Sequence, residues 1–234
     1  MKLQWRAKYP HSLSLPTSWQ QLPNGVAYST LLSAYFENWF PRILGRRLLK
    51  FGGLSAEIRC ETDCQQVLIT PETHGILTAL CQQQGMILIE DSLQELSFGD
   101  GTVDACLLAQ TLNFSQDPHQ LLREVARVLS DDGYLFLSLF SPCSKLIFKR
   151  HLNHFAYRQF CQWRVLDWLE LLGFEILAVQ PLPLRHEVKW FASQYAIVAQ
   201  KRTLPLSLQP QKVRFKNEEI FNPAQAFKAP SSLK

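Results

Sequence analysis

Between residues 48 and 200 short apolar runs alternate with helix-period segments, and that alternation limits the possible folds more than any other feature of the chain. LLKF (48–51), QQVLIT (65–70), MILIE (86–90), VDACLLAQ (103–110), YLFLSLF (134–140), FEILAVQ (174–180) and QYAIVAQ (194–200) read as strands. The run at 103–110 is continuously apolar, as a parallel strand covered on both faces should be. Between the strands, ILTALCQQQ (76–84) reads as a helix that stops at Gly85, and VLDWLELLG (165–173) as one that stops at Gly173. The best-marked helix has Asp117 as its cap and Pro118 in its first turn. Leu121, Leu122, Val125, Val128 and Leu129 form its inner face, and the Asp132-Gly133 turn is expected to end it.

Repeated strand–helix order predicts an α/β fold with a mostly parallel sheet. Ligands in such folds bind beyond the carboxyl ends of the strands, where strand order reverses. The residues just after each strand are therefore the candidate site: 52–56, 70–72, 91–93, 109–113 and 141–143. Ahead of the sheet, residues 1–24 carry prolines at 10, 16 and 23 and read as an irregular arm. Residues 27–47 have apolar side chains paired every four residues, a helix that Pro41 should kink or restart. Its broad aromatic stripe is expected to pack on the sheet.

The 234 residues, 47% of them hydrophobic, suffice for one domain, read as 25–202, with a core that needs no staples. No apolar run is long enough to span a membrane, and MKLQWRAKYPHS has no apolar stretch behind its basic residues, so the expected compartment is the cytoplasm. The six cysteines are scattered without zinc spacing, and no metal site is expected. Charge is unevenly placed. Residues 201–234 hold seven basic and two acidic side chains (+5), and the preceding 200 residues hold 17 and 18 (−1). Residues 203–234, rich in Pro, Gln, Lys and Ser, read as a basic, disordered tail through which nucleic acid could bind.

Residues 90–140 add a specific pattern. Asp91 follows the third strand. Leu96-Ser97-Phe98, Asp100-Gly101 and Val103-Asp104 come next. Arg123-Glu124-Val125-Ala126-Arg127-Val128-Leu129 and Gly133 complete it. In order and spacing this resembles the centre of class I S-adenosylmethionine-dependent methyltransferases, in particular the type 11 family, over roughly residues 45–202. The resemblance implies a Rossmann-like, three-layer fold with a seven-stranded sheet of order 3-2-1-4-5-7-6, the last strand antiparallel. It implies S-adenosylmethionine as cofactor and methyl transfer to an acceptor that the sequence does not name. Asp91 would accept a hydrogen bond from the adenine amine, with capping of its own loop as the alternative. Ser92 would present its backbone N–H to the same ring. Asp104 would make a structural bond to a neighbouring loop, and Arg123, Glu124 and Arg127 would pair along one helix face.

The chain departs from that family in three places. The first motif, acid-x-Gly-x-Gly-x-Gly, falls on Lys50, Gly52, Leu54 and Ala56, so the acid and two of the three glycines are replaced. Gly52 and Gly53 still allow one tight turn under the methionine end of the cofactor. Lys50 would be unfavourable facing a cationic cofactor, and Leu54 would crowd it. At the end of the second strand, where the family has a ribose-binding acid, the chain has Thr70, with Glu72 two residues on. After the fourth strand, where many members have a histidine, it reads Gln110-Thr111-Leu112-Asn113-Phe114. The candidate cofactor set is thus Gly52, Gly53, Thr70, Glu72, Asp91, Ser92 and Gln110. The insert at 141–164, basic and aromatic, is expected to be an amphipathic lid helix, with substrate contact as the alternative. His151 or His154 could act there as a base, but no catalytic residue is assigned. Three readings stay open: a methyltransferase, a non-catalytic binding or regulatory module on the same fold, and an RNA-associated protein.

Overall fold

The computed structural model describes residues 13–202 except Cys143, Lys145, Ile147, Phe148 and Arg150. Residues 1–12 of the arm and the basic segment 203–234 lie outside the described residues, and so does the expected nucleic-acid contact through that segment.

The arm enters through a short 3-10 turn, Trp19–Gln21, into α1 (Gly25–Glu37). A second 3-10 turn, Phe40–Arg42, holds Pro41, so the proline ends the helix and the chain restarts beyond it. The alternating region then gives β1 (Arg47–Phe51), α2 (Gly52–Ala56), β2 (Gln65–Thr70), α3 (Gly75–Gln84), β3 (Ile87–Glu90), β4 (Val103–Ala109), α4 (Pro118–Val128) and β5 (Leu129–Phe140). After these come a hairpin of β6 (His151–Leu152) and β7 (Phe155–Ala156), then α5 (Gln162–Leu171), β8 (Phe174–Leu182) and β9 (Gln194–Lys201). Among the described residues no helix is long and apolar enough to cross a membrane.

Seven strands form one sheet in the order β3-β2-β1-β4-β5-β9-β8. Counted within that sheet the order is 3-2-1-4-5-7-6. The strands from β3 to β5 pair in parallel, and β9 runs antiparallel to both its neighbours. Strand periodicity sends alternate residues to opposite faces. On one face Leu49, Phe51, Ile69, Leu108 and Leu137 pack under α4 and α5, contributed by Leu121, Leu122, Val125 and Leu169. On the other, Leu48, Leu107, Phe136 and Phe140 meet Tyr28, Leu32 and Phe36 of α1, and Leu68 meets Leu77 and Cys81 of α3. The aromatic stripe of the first helix is therefore core, with Phe36 and Phe40 edge-on to Phe136.

Two local expectations give way. α4 ends at Val128 and the chain passes directly into β5; Asp132 and Gly133 lie inside that strand, in a bulge where β4 pairs with Leu129 and then with Tyr134. The described part of the insert is a hairpin rather than a lid helix, turned at Asn153 with a positive φ of 56°. Asn tolerates that backbone better than other residues with a Cβ, and a two-residue turn with positive φ joins antiparallel strands.

Candidate functional site

The carboxyl ends of β1, β2, β3 and β4 lie side by side, each fixed by its own bonds. Asp104, the second residue of β4, accepts the amides of Arg46 (2.7 Å) and Arg47 (3.0 Å) through one oxygen and sets the start of β1. At the far end, Ser55 Oγ donates to Phe51 O (2.7 Å) and accepts from Ala109 N (2.8 Å), joining β1 to β4. Thr111 Oγ1 adds a bond to Phe51 O (2.9 Å).

β3 ends at Glu90, and a loop of twelve residues that begins with Asp91 leads to β4. Arg127 of α4 holds that loop. It pairs with Glu124 (2.8 Å) and Asp100 (2.6 Å) and donates to the carbonyls of Phe98 (2.8 Å) and Leu96 (2.9 Å). Glu124 in turn accepts from Leu96 N (3.0 Å). These contacts raise the affinity of Arg127 for its proton and lower that of Glu124. The loop so fixed presents Ser97 N (2.8 Å) and Ser92 N (2.8 Å) to the two oxygens of Asp91, and these bonds, that from Ser97 above all, hold its carboxyl below the ordinary aspartate value. Asp91 thus caps its own loop while facing a cavity.

That cavity, of about 460 Å³, lies over the ends of β2, β3 and β4. Its polar wall is Glu90, Asp91, Ser92 and Gln94; Leu93, Pro71 and Phe114 give apolar faces, and Leu13 and Leu15 of the arm close it. Its size falls in the range of small-molecule sites. Carboxylates able to accept from an exocyclic amine or from hydroxyls, set between apolar walls, suit a purine nucleoside.

Of the candidate residues, Asp91 and Ser92 line this cavity. Thr70 is buried and donates to Glu72 O (2.9 Å), closing the turn after β2, while its carbonyl accepts Asp91 N (3.0 Å). The Glu72 side chain is 81% exposed and lies 3.8 Å from His74 Nε2. Gly52 takes a positive φ of 75°, which the tight entry into α2 requires. Gly53 is covered by the arm: a Cβ built on it would lie 2.3 Å from the Thr17 carbonyl oxygen. Gln110 is fully buried, with its Nε2 3.1 Å from Gln194 Oε1.

The replaced residues of the first motif have structural partners. Lys50 does not face the cavity wall formed by Asp91. Its Nζ turns to the end of α2 and donates to Ile58 O (2.8 Å) and Ala56 O (3.5 Å). Burial lowers its pKa, and the nearby Cys60 opposes that shift. Leu54 packs beside Trp19, whose Nε1 donates to the Leu54 carbonyl (2.8 Å). His151 and His154 lie exposed on the hairpin.

Sequence reasoning missed Glu90, Leu13, Leu15 and Phe114 as lining residues. The neighbour of Asp91 at the same strand end could have indicated Glu90, and its position after β4 could have indicated Phe114. No local signal carries an arm folding back onto a turn 36 residues further along the chain.

A methyltransferase domain model matches residues 51–137. The chain is 37% identical over 226 residues to the uncharacterized protein YafS of Escherichia coli (strain K12), covering 88% of this chain and 89% of that one. Among solved structures, the [4+2]-cyclase SpnF superposes with a TM-score of 0.60 at 18% identity, covering 84% of this chain and 86% of SpnF. The Burkholderia thailandensis 1,6-didemethyltoxoflavin-N1-methyltransferase, solved with S-adenosylhomocysteine, superposes with a TM-score of 0.58 at 17% identity, covering 76% and 79%. With the 3-2-1-4-5-7-6 sheet and the domain match falling on the strands that build the cavity, the chain belongs to the class I S-adenosylmethionine-dependent methyltransferase family.

Proposed function

We propose that the protein is an enzyme that binds S-adenosylmethionine and transfers its methyl group to an acceptor. The observation that carries this reading is the 460 Å³ cavity with Glu90 and Asp91 on its wall, at the carboxyl ends of parallel strands. Asp91 holds the adenine amine; Ser92 lines the same wall, but its amide is taken by Asp91 Oδ1 and is not the adenine donor that the sequence suggests. Glu90 would accept from the ribose hydroxyls. Thr70 and Glu72 shape the turn behind the ribose. Gly52, Gly53 and Gln110 border the methionine end. The cofactor supplies an already activated methyl group, so the protein's own work is to orient donor and acceptor and exclude water.

Isothermal titration with S-adenosylhomocysteine tests this. Binding in the micromolar range that weakens about tenfold or more in Asp91→Ala is the expected result. No heat at near-millimolar ligand would remove the cofactor from the reading.

A second reading, a fold member that binds without transferring methyl, is favoured by one feature: Gly53 lies under the arm and Leu54 and Ala56 are buried in the core. The likeness to a [4+2]-cyclase shows that this fold is not tied to one chemistry. Incubation with labelled cofactor and cell extract separates the two, since only an enzyme moves label to an acceptor.

A further inference from the structure

Residues 13–19 run across the glycine turn. The Thr17 backbone passes so close to Gly53 that any side chain there would strike its carbonyl oxygen, and Leu15 Cδ2 lies 3.5 Å from the Cβ position of Gly52. Pro16 and Trp19 are buried. Glycine at 53 is therefore needed by the protein's own chain and not only by a ligand.

The hold is uneven along this strap. Trp19 is fully buried and its indole N–H reaches Leu54 O. Gln21, just beyond, has its carbonyl tied by Asn153 Nδ2 (2.6 Å) of the hairpin. Ahead of Trp19 the hydrogen bonds stay inside the strap: Thr17 N to Gln21 Oε1 (2.9 Å), Gln21 Nε2 to Thr17 Oγ1 (3.0 Å), and Gln20 N to Ser18 Oγ (3.2 Å). Among the described residues, 13–17 meet the domain by packing, Leu15 against the core and the Thr17 backbone against Gly53. A segment held this way opens at low cost relative to the core, with Trp19 as its anchor.

The cavity follows the same division. Leu13 and Leu15 line it, whereas Gly52, Gly53 and Gln110 do not. A nucleoside can enter beside Asp91 with the strap in place, but a ligand that extends over Gly52 and Gly53 cannot.

We propose that residues 13–17 are a displaceable strap that makes the site selective: the strapped form takes a purine nucleoside, and the amino-acid end of S-adenosylmethionine or S-adenosylhomocysteine is admitted only when the strap lifts from Gly53. This rests on the cofactor reading above. The free energy of lifting the strap is subtracted from the binding of the long ligand and not from that of the short one.

Calorimetry on the full chain and on Leu15→Ser, with adenosine and with S-adenosylhomocysteine, tests it. Leu15 is half-buried, so the variant should fold; it loosens the strap without touching the carboxylate wall. S-adenosylhomocysteine should bind the variant roughly tenfold more tightly, while adenosine does not gain. In the unaltered chain, amide exchange at Thr17 should speed up on adding S-adenosylhomocysteine and not on adding adenosine, while the Gln21 amide, beyond the Trp19 anchor, should not change. Equal S-adenosylhomocysteine affinities with unchanged exchange would overturn the strap and leave the cofactor reading intact. Failure of both forms to bind S-adenosylhomocysteine would overturn the cofactor reading, and the strap proposal with it.

Discussion

The Nζ of Lys50 lies 2.8 Å from the carbonyl oxygen of Ile58, and this pair occupies the place where the family's first motif carries an acid. A short helix ends with unpaired carbonyls, and a cation near that end satisfies them and suits its dipole. The lysine is fully buried, so its chain packs beneath α2 while its head serves as a cap.

Restoring the family's acid should therefore fail as a repair. Lys50→Asp would bury a carboxylate with no cation beside it and leave the Ile58 and Ala56 carbonyls without the donor they have now. Breaking a buried charged contact in this way costs about 3 kcal/mol or more. We expect a large drop in the urea midpoint and no gain in S-adenosylhomocysteine affinity. A stable variant with tighter binding would show that the lysine blocks the cofactor instead of holding α2.

Much of the sheet is legible in the chain because its signals are local. Asp117 and Pro118 announce α4, and the Asp117 side chain does accept Gln120 N (3.0 Å). Gly85 stops α3 in a left-handed conformation, φ 68°. The hairpin was not legible: residues 141–164 read as an amphipathic lid helix, and the turn that makes them a hairpin is set by one residue, Asn153. The partner of Lys50 and the cover on Gly53 were not legible. The first depends on how α2 ends, and the second on a contact between residues 36 apart, Thr17 and Gly53, neither of which any periodicity records.

Asp104 separates structural from binding acids. One of its oxygens serves two backbone amides, Arg46 and Arg47, at the opposite end of β1 from the cavity. Asp104→Ala leaves both donors without that acceptor and should cost about 2 kcal/mol. Adenosine affinity, measured below the unfolding transition, should stay within about twofold of the parent. A tenfold loss would give Asp104 a part in the site that its position does not suggest.

Arg127 acts on the site through the loop it clamps. Arg127→Met keeps much of the side-chain length but gives up the contacts to Glu124, Asp100 and the carbonyls of Leu96 and Phe98. With the loop loosened, Ser97 N no longer sits fixed against Asp91. Both stability and nucleoside affinity should fall, the latter by about three- to tenfold. Arg127→Lys should recover little, since one ammonium cannot serve carbonyls and carboxylates as the planar guanidinium does. If affinity is unchanged while stability falls, the loop does not position Asp91.

The Asp91 carboxylate gives a pH test with a fixed sign. Its bonds from Ser97 N and Ser92 N favour the ionised form and place its folded-state pKa below the ordinary 3.8. The unfolded chain therefore takes up this proton first as pH falls. The contribution to stability is complete above about 3.8 and is lost as the pH drops through the lower folded-state value. Asp91→Asn retains the shape and one acceptor oxygen but cannot ionise. Screening at this partly exposed site limits the difference to about 1 kcal/mol. Urea titrations of both proteins at pH 7 and along a series below pH 4 should show the parent more stable at neutral pH, with the gap closing under acid. A gap that stays constant, or widens, as the carboxyl protonates would mean that the two amides do not favour its charged form.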